Sequence, residues 1–436
     1  MRRHVLMVAF HFPPFGGSSG SRRTIAFSRY LPRDGWDPLV LTANERAYEQ
    51  IKPQELRYVP EGMPVVRAFA LDAARHLSVS GRYPARLAIP DRWRSWQPFA
   101  RRAGLRLIRN YRPSIIWSTY PIASAHSIAA SLHARTGIPW VADMRDPMVE
   151  KDPYSGIEYP RDPQVRAARV RIEQAVASDA AHVVFCTPAA RAIFLRRFGD
   201  ALEPRTSVIP NGYDEEAFTE AEQALARPAG KRAEFRLVHS GTVYPGDDRG
   251  PDALFKAIAQ LRARGTLPDG FRLILRASGH DAEIGELIAA SGVTGVVQLL
   301  PPLPYREALQ EMLTADGLLL LQGGASNPAV PAKVYEYVRA RRPILGLVHP
   351  DGETAALLQR LQAAIVAPLD DVEQISAALA SFVAACERGC APFAQSEAVA
   401  ALSRAAQARE LAELLSRVSA LQRGDRAATA LQSAQI

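Results

Sequence analysis

Short apolar runs alternate with helical patterns along most of the 436-residue chain, and they do so in two separate series. The first series predicts seven strands, at 5–10, 38–42, 65–68, 115–118, 140–143, 182–186 and 207–209. The second predicts six, at 236–239, 272–277, 296–300, 317–321, 344–348 and 364–366. Apolar strands that alternate with helices are typical of a parallel sheet covered on both faces. Because 436 residues exceed the usual size of one core, we expect two doubly wound α/β domains.

The domain boundaries follow from breaks in this pattern. The turn Pro210-Asn211-Gly212 closes the first series, and the polar stretch 213–232 predicts a linker. Near the end, an Ala- and Leu-rich stretch with spaced charges predicts a last helix. The predicted divisions are an N-terminal domain over 1–215, a C-terminal domain over 216–394, a final helix over 395–422 and a flexible tail over 423–436.

Composition excludes several classes of protein. The hydrophobic fraction of 47% and the charged fraction of 22% are those of a globular chain. Cys186, Cys386 and Cys390 provide neither an even-numbered disulfide framework nor a CxxC metal pair. The first apolar run has six residues, too few for a signal sequence or a membrane span, and no run reaches eighteen. We therefore expect a cytoplasmic protein that is not integral to a membrane.

One segment of the first series is strongly basic. Ten arginines lie between Arg75 and Arg112 against a single acid, Asp91, and the whole chain has a net charge of +8. Aromatic residues such as Trp93 and Phe99 are interleaved with them. This composition favours an anionic membrane surface, on the inner face of the plasma membrane, or a lipid-phosphate acceptor. The alternative is a solvated basic helix whose tryptophans lie in the core. No nucleic-acid-binding motif accompanies the segment, so we expect no nucleic-acid partner.

The segment NPAVPAKVYEYVRARRPILGL, residues 327–347, predicts a loop, a helix and a buried strand. Pro331 suits the first helical turn, and the small residues 323–327 allow a ligand to approach the backbone. Lys333 and Glu336 then lie on roughly one face beside the helix amino end, which attracts anions. An ammonium and a carboxylate there suit a ligand with phosphates and hydroxyls, such as a nucleotide sugar. The alternative is an ordinary helix with a Lys–Glu surface pair.

The chain begins with a predicted strand, a glycine-containing loop and a predicted helix over 22–31, which is the opening unit of a doubly wound domain. The loop matches neither GxGxxG nor GxxxxGK[ST], so classical dinucleotide and ATP sites are poorly supported. Gly16, Gly17 and Ser18 nevertheless form a candidate acceptor or phosphate loop, since paired glycines admit a ligand close to the backbone. The alternative is a tight loop without a ligand.

Six segments of the chain resemble the retaining GT-B glycosyltransferases of family 4, the group 1 class. In chain order they are HFPPFGGSSGSRRTIAFSRYL, STYPIASAHSIA, GIPWVADMRDP, VIPNGYDEEAF, HSGTVYPGDDRGPDALFKAIAQL and PAKVYEYVRARRPILGLV. The resemblance implies two Rossmann-like domains facing across a cleft, with the C-terminal helix crossing back to the first domain. It implies transfer of a sugar from a UDP- or GDP-sugar donor to a glycan or lipid-linked acceptor, with retention, in cell-surface polysaccharide or glycolipid biosynthesis. No cofactor and no bound metal are expected, and Asp247 and Asp248 are expected to be solvated loop acids.

The resemblance also implies a donor-binding set. Its members are Ser240, Gly241, Thr242, Arg249, Leu303, Asn327, Val330, Lys333 and Glu336. Arg249 and Lys333 would neutralise the leaving diphosphate, with Lys256 a weaker candidate, and Glu336 would hold the ribose. The family's second Glu, seven residues before, is replaced here by Pro328. Asn327 and the backbone near Val330 are the expected substitutes.

The candidate catalytic residues are Asp146, Arg145 and His126, in the first domain. Asp146 would contact the acceptor hydroxyl or the sugar, although a retaining enzyme needs no strong base because the leaving phosphate can accept the proton. The structural alternatives are that Arg145 pairs with Asp143 or Asp146 to hold the loop, and that His126 only packs in the interior.

Two other functions remain open at this point. The GT-B fold also includes nucleotide-sugar 2-epimerases, which would bind the same donor without an acceptor. A non-catalytic nucleotide-sugar-binding protein is the third possibility, because the acid expected at position 328 is missing.

Overall fold

The computed structural model describes residues 2–16, 20–151, 156–225, 234–245 and 250–433, and at 325 and 422–433 the backbone alone. The chain divides into two compact units, Met1–Asn211 together with Arg404–Ile436, and Gly212–Ser403. They are called the first and the second unit below.

The first unit is built on a parallel sheet with strand order β3-β2-β1-β4-β5-β8-β9, and a separate antiparallel hairpin pairs β6 with β7. Its strands are β1 (Arg3–Val8), β2 (Trp36–Ala43), β3 (Val65–Ala68), β4 (Ile115–Thr119), β5 (Trp140–Arg145), β6 (Glu150–Lys151), β7 (Glu158–Tyr159), β8 (His182–Phe185) and β9 (Thr206–Val208). Its helices before the second unit are α1 (Gly20–Tyr30), α2 (Ala73–His76), α3 (Trp96–Tyr111), α4 (Ser124–Thr136), α5 (Pro163–Asp179) and α6 (Pro188–Phe198).

The second unit has the same kind of architecture, with a parallel sheet in the order β12-β11-β10-β13-β14-β15. Its strands are β10 (Phe235–Ser240), β11 (Phe271–Arg276), β12 (Val297–Leu300), β13 (Gly317–Gln322), β14 (Ile344–Val348) and β15 (Ala364–Ala367). Its helices are α7 (Glu215–Gln223), α8 (Asp252–Ala263), α9 (Asp281–Ala290), α10 (Tyr305–Thr314), α11 (Ala332–Ala340), α12 (Glu353–Arg360), α13 (Val372–Glu387) and α14 (Ser396–Ala400). The final helix, α15 (Arg404–Ser433), returns to the first unit and packs beside α1.

Both sheets are buried on both faces. Along β1, Val5 and Met7 face one hydrophobic cluster while Leu6 and Val8 face the other. Residues of α15, such as Leu411, belong to the first of these clusters. Alternate side chains of a strand point to opposite faces, so a continuous apolar run is what a doubly covered sheet requires. This is why the apolar runs predicted the strands well: all thirteen predicted strands are present, within two residues at each end.

Two predictions about the connections differ from the structure. The predicted linker contains helix α7, whose amino end is capped by the Asp214 carboxylate (3.2 Å to the Glu216 N–H) and whose Phe218 is fully buried. The predicted final helix is two helices, α14 and α15, and at the break between them the Leu402 carbonyl accepts a hydrogen bond from the Tyr213 N–H (3.4 Å). Helix α15 then continues to Ser433, where a tail was expected from residue 423, and most residues of this extension are good helix formers such as Ala, Leu, Arg and Gln.

Candidate functional site

Several donor-side candidates of the second unit, among them Gly241 and Lys333, lie where its strand order reverses. Strands β10 and β13 are neighbours, and the chain runs outward in opposite directions from them. Ligands of doubly wound sheets bind at this point, beyond the carboxyl ends of the strands. Ser240 ends β10 and Gly241 follows it, while the loop after β13 leads into α11, which carries Lys333. Pro331 is the residue before α11 and has an extended ψ of 139°, so the helix begins one residue later than predicted.

Lys333 is held against the end of β10. Its ammonium nitrogen Nζ lies 3.2 Å from Nε2 of His239, and the opposite ring nitrogen of His239, Nδ1, lies 3.0 Å from the carbonyl oxygen of Leu319 on β13. Gly241 has a φ of +119°, and a Cβ at this position would lie 2.9 Å from the Lys333 Nζ. The positive φ favours glycine at this position, and its missing side chain leaves space beside the ammonium.

Burial dominates the protonation of this pair. It lowers the pKa of Lys333 to about 8, partly opposed by the negative charge of Glu336. Burial and the neighbouring Lys333 cation lower the pKa of His239 to about 3. At neutral pH the pair therefore consists of a charged lysine and a neutral imidazole.

Glu336 does not neutralise Lys333 by direct contact. Its Oε1 accepts a hydrogen bond from the Tyr305 hydroxyl at 2.8 Å. Among the residues that the structure describes, no carboxylate lies within 4 Å of the Lys333 ammonium. The surface Lys–Glu pair that was the alternative prediction for this helix is thus not formed, and both charges remain available for a ligand.

The side chain of Gln322 stabilises the loop between β13 and α11. The Gln322 amide donates to the carbonyl oxygens of Ser326 (2.7 Å) and Ala329 (2.9 Å), and its oxygen accepts from the Thr354 hydroxyl (2.5 Å). Asn327 contributes its carbonyl, which accepts from the backbone N–H of Glu353 (3.0 Å). This network fixes the path of the backbone ahead of α11. The side chain of Val330 packs in the core, so only its backbone is available to a ligand, and its predicted part in donor binding stays a prediction.

The remaining donor-side candidates are distributed as follows. The Ser240 N–H donates to the Tyr337 hydroxyl at 2.8 Å, and Thr242 is exposed next to it. Leu303 is half-buried in the loop before α10. Arg249, together with Asp247 and Asp248, lies outside the described residues, so its predicted role at the diphosphate stays a prediction.

Sequence reasoning missed His239 and Tyr337 as members of this site. His239 and Tyr337 lie within segments predicted as a strand and a helix, where a buried polar residue was the available signal. Buried polar side chains need partners, and those of His239 include Lys333 and Leu319. The partners could not be identified before the order of β10 and β13 was known.

In the first unit, an ion pair that was not predicted stabilises the charged loop after β5. Asp143 is fully buried and makes a bidentate pair with Arg23 of α1 (2.8 and 3.0 Å). It also accepts from the Thr119 hydroxyl (2.8 Å), while Arg23 donates to the carbonyl oxygens of Ile209 and Pro210. Arg145 therefore does not hold the loop through Asp143.

Arg145 and Asp146 lie at the carboxyl end of β5. Arg145 is buried with a left-handed φ of 62°, and its Nε has no hydrogen-bond partner among the described residues. A left-handed conformation in a non-glycine residue is strained and is often found at functional sites. Burial raises the pKa of Asp146, and burial with the nearby Asp146 and Glu173 charges raises that of Glu150 to about 7. Glu150 lies outside the DMRDP motif, so it was not identified from the sequence.

His126 lies in the interior of the first unit. It has no exposed surface, its Nδ1 is 2.7 Å from the Ser118 hydroxyl, and Ser118 accepts from the Trp140 indole N–H (2.7 Å). Burial lowers the pKa of His126 to about 4. These contacts agree with the alternative that His126 only packs in the interior, and we do not propose a catalytic role for it.

Of the glycine loop after β1, only Gly16 is described; Gly17 and Ser18 lie outside the described residues. The Gly16 N–H donates to the Gln50 carbonyl (3.2 Å). A Cβ at Gly16 would lie 2.4 Å from the aliphatic part of the Lys52 side chain. Close packing is therefore sufficient to require a glycine at this position.

Most arginines of the basic segment are exposed, and the surface they form is called the basic face below. Trp96 is fully buried and Trp93 donates its indole N–H to the Ala47 carbonyl (3.1 Å), so these tryptophans belong to the core, as the alternative stated. The exposed aromatic residues are Phe69 and Phe99, which pack edge to face at 4.9 Å. A cavity of about 340 Å³ lies beside them, lined by Leu71, Leu77, Leu87, Arg92, Arg94 and Arg101 among others.

The arginines of this face differ in their pairing. Arg92 is bound by Asp72 and by Glu49 (2.7 Å). In the part of the chain that is described, no carboxylate lies within 4 Å of Arg94, Arg101, Arg102 or Arg106. The face therefore carries a net positive charge beside exposed apolar surface.

Two general features of the described residues concern metals and membranes. Within them, no group of three His, Cys, Asp or Glu side chains is arranged to hold a metal ion. No helix among them combines the length and the apolar character that crossing a bilayer requires.

Comparisons with known proteins agree with this architecture. The family model described as "Glycosyl transferase 4-like domain" matches residues 20–212. No curated protein matches the sequence significantly. Sucrose-phosphate synthase from Thermosynechococcus elongatus is similar in structure, with 15% identity, coverage of 99% of this chain and 100% of that chain, and a TM-score of 0.61.

Two further solved structures are similar. HepE from Anabaena, solved in complex with UDP and glucose, has 16% identity, coverage of 95% of this chain and 100% of that one, and a TM-score of 0.63. UDP-GlcNAc 2-epimerase from Methanocaldococcus jannaschii has 10% identity, coverage of 95% and 99%, and a TM-score of 0.56. The chain thus has the GT-B fold, with two Rossmann-like domains. The family match and the fold together support a glycosyltransferase of the GT-B type.

Proposed function

We propose that the protein is a retaining glycosyltransferase that uses a UDP- or GDP-sugar as donor. The observation that carries this proposal is the Lys333 ammonium, held at the amino end of α11 and 3.2 Å from a neutral histidine. A cation beside a helix amino end is an arrangement suited to a diphosphate. HepE, which shares the fold, was solved with UDP.

In the proposed reaction the second unit binds the donor. Lys333 and the first N–H groups of α11 stabilise the negative charge that grows on the leaving diphosphate. Glu336 accepts hydrogen bonds from the ribose hydroxyls. No bound metal or cofactor is required by this scheme, because protein cations and backbone dipoles stabilise the charge.

The first unit supplies the acceptor side of the proposed reaction. An acceptor hydroxyl oxygen bonds to C1 of the sugar on the face from which the diphosphate leaves, and the leaving phosphate oxygen takes the hydroxyl proton. Arg145 and Asp146 are the residues proposed to orient the acceptor or the sugar. Glu150 is near enough for burial and the Asp146 charge to raise its pKa to about 7. We propose a glycan or lipid-linked acceptor, in cell-surface polysaccharide or glycolipid biosynthesis.

We expect Glu336→Gln to weaken binding of UDP or GDP about tenfold, because an amide replaces a carboxylate that accepts two hydroxyl hydrogen bonds. Isothermal titration calorimetry of the full chain measures this. Glu286→Gln, an exposed acid on α9, is the matched control and should bind like the wild type. Equal affinities for wild type and Glu336→Gln would remove Glu336 from the site.

Product analysis separates the proposed function from the epimerase alternative. A transferase incubated with its nucleotide sugar and a lipid or glycan acceptor releases the nucleoside diphosphate and forms a glycosylated product. A 2-epimerase changes the sugar at C2 without any acceptor. Nucleotide-sugar conversion that is independent of every acceptor would therefore contradict the proposal.

We further propose that the basic face of the first unit contacts an anionic membrane surface. The exposed Phe69–Phe99 pair and the arginines without acidic partners support this, since basic and apolar side chains together favour anionic bilayers. The protein would then be peripheral on the inner face of the plasma membrane, where lipid-linked acceptors are present.

The membrane proposal predicts salt-sensitive binding to anionic liposomes. We expect the triple variant Arg101→Glu, Arg102→Glu, Arg106→Glu to lose most co-sedimentation, because each basic residue near the surface contributes about 1 kcal/mol. A triple Glu variant of Arg262, Arg264 and Arg272, in the second unit, controls for net charge. Absence of wild-type binding to anionic liposomes, or equal loss in both variants, would refute the proposed contact.

A further inference from the structure

His239 connects Lys333 to the sheet of the second unit through its two ring nitrogens. Nδ1 lies 3.0 Å from the Leu319 carbonyl oxygen, and Nε2 lies 3.2 Å from the Lys333 ammonium. A carbonyl oxygen only accepts hydrogen bonds, so Nδ1 must carry a proton. An ammonium only donates, so Nε2 must offer its lone pair. The two contacts together define a neutral imidazole in the Nδ1–H tautomer.

Because the partner of the Lys333 ammonium is a neutral imidazole and not a carboxylate, the ammonium keeps its net positive charge. A carboxylate at this position would hold the ammonium equally well, but it would cancel the charge that attracts a diphosphate. The imidazole directs the ammonium and leaves its charge intact. Protonation of the imidazole is opposed because it would place two cations 3.2 Å apart in a buried site.

The backbone next to His239 supports the same placement. Gly241 leaves the position beside the ammonium open, since a Cβ there would lie 2.9 Å from the Lys333 Nζ. The hydroxyl of Tyr337, on α11, accepts from the Ser240 N–H at 2.8 Å and so ties the helix to the end of β10. The contacts of β10, Gly241 and α11 therefore all favour the same position of the Lys333 nitrogen.

We propose that His239 is a positioning residue, whose neutral imidazole holds the Lys333 ammonium beside Gly241 so that its full charge is offered to a nucleoside diphosphate. This inference rests on the function proposed above. It adds a residue and a mechanism to the donor site, and it specifies the diphosphate as the part of the ligand that depends on His239.

Two conservative variants separate positioning from a structural role. In His239→Asn the side-chain amide can still donate to the Leu319 carbonyl, as Nδ1 does, but it cannot reach Lys333. In His239→Gln the amide oxygen can accept from Lys333, in place of Nε2. We expect His239→Asn to bind UDP or GDP about tenfold more weakly than wild type, and His239→Gln to remain within about twofold. A purely structural role for the Leu319 contact predicts the reverse order.

The pH dependence provides a readout that packing alone would not change. Among the residues that the structure describes, the titratable groups that act on Lys333 are His239 on β10 and Glu336 on α11. Because the pKa of Lys333 is lowered to about 8, wild-type affinity for UDP should be retained below pH 8 and fall as the pH rises through that value. Loss of the acceptor in His239→Asn further disfavours the charged amine, so the fall should begin at a lower pH, whereas His239→Gln should follow the wild type.

Calorimetric titrations of UDP, GDP and uridine into the full-length wild type and the two variants test the inference. Uridine, which lacks phosphates, should bind all three proteins alike. Equal affinities of wild type and His239→Asn for the diphosphate, or equal losses in both variants, would overturn the role of His239 while leaving the proposed function in place, provided that Lys333→Met binds weakly. A wild type that binds neither UDP nor GDP would instead overturn the proposed function itself.

Discussion

Replacing Lys333 by Met is expected to weaken the binding of UDP or GDP by at least tenfold and to leave uridine binding unchanged. The reason is that Lys333 is proposed to donate a charge-assisted hydrogen bond to phosphate, and such bonds contribute about 1.5–3 kcal/mol. Methionine keeps the length and the apolar stem of lysine, so packing around α11 should be preserved. Calorimetry at constant ionic strength, below pH 8, measures the difference while the wild-type lysine is charged.

Lys256→Met is the matched control for this prediction. Lys256 is an exposed lysine on α8 and was a weaker candidate for the same role. The variant changes the net charge by the same amount but removes no cation from the end of β10. A Lys256 variant that loses as much diphosphate affinity as Lys333→Met would show that the effect is one of overall charge, and would remove Lys333 from its proposed position.

Replacing Asp143 by Ala is expected to destabilise the first unit by about 3–5 kcal/mol, because it removes the buried carboxylate to which the Arg23 guanidinium donates two hydrogen bonds. The side chains of the pair are 4% and 0% exposed, so bulk water does not screen their interaction. Asp143 also accepts from Thr119, and Arg23 binds the backbone that follows β9. Loss of the pair therefore loosens α1, β5 and the end of β9 together.

Tryptophan fluorescence during urea unfolding measures this effect selectively. All five tryptophans, at positions 36, 93, 96, 117 and 140, lie in the first unit. Asp37→Ala is the control, because Asp37 pairs with an Arg2 side chain that is 72% exposed, and exposed pairs contribute less than about 1 kcal/mol. An unfolding midpoint of Asp143→Ala equal to that of Asp37→Ala would contradict the structural role assigned to the buried pair.

The strands could be predicted from the sequence because both sheets are covered on both faces. Runs such as those around Leu6 and Leu319 must be apolar at every position, so each strand is visible as a continuous segment. The antiparallel pair β6–β7 was not predicted, since its two-residue strands are polar. Helix α7 was also missed, because most of its residues are polar and its buried apolar face is small, consisting of Phe218 and Ala221.

Contacts between distant parts of the chain account for what the sequence could not predict in the candidate sites. Lys333 and Glu336 were identified from the helix that carries them, but the His239 contact joins residues 94 positions apart. The Arg23–Asp143 pair spans 120 positions, and local reasoning offered only Arg145 as a partner for Asp143, as a structural alternative. Such pairings depend on strand order, which residue types and spacing do not determine.

A crystal structure of the full chain with UDP or GDP tests the central claim most directly. The account predicts diphosphate density at the amino end of α11, with a β-phosphate oxygen within about 3 Å of the Lys333 nitrogen, as expected for a charge-assisted hydrogen bond. Nucleotide density away from the carboxyl ends of β10 and β13, with Lys333 bound only to His239, would contradict it.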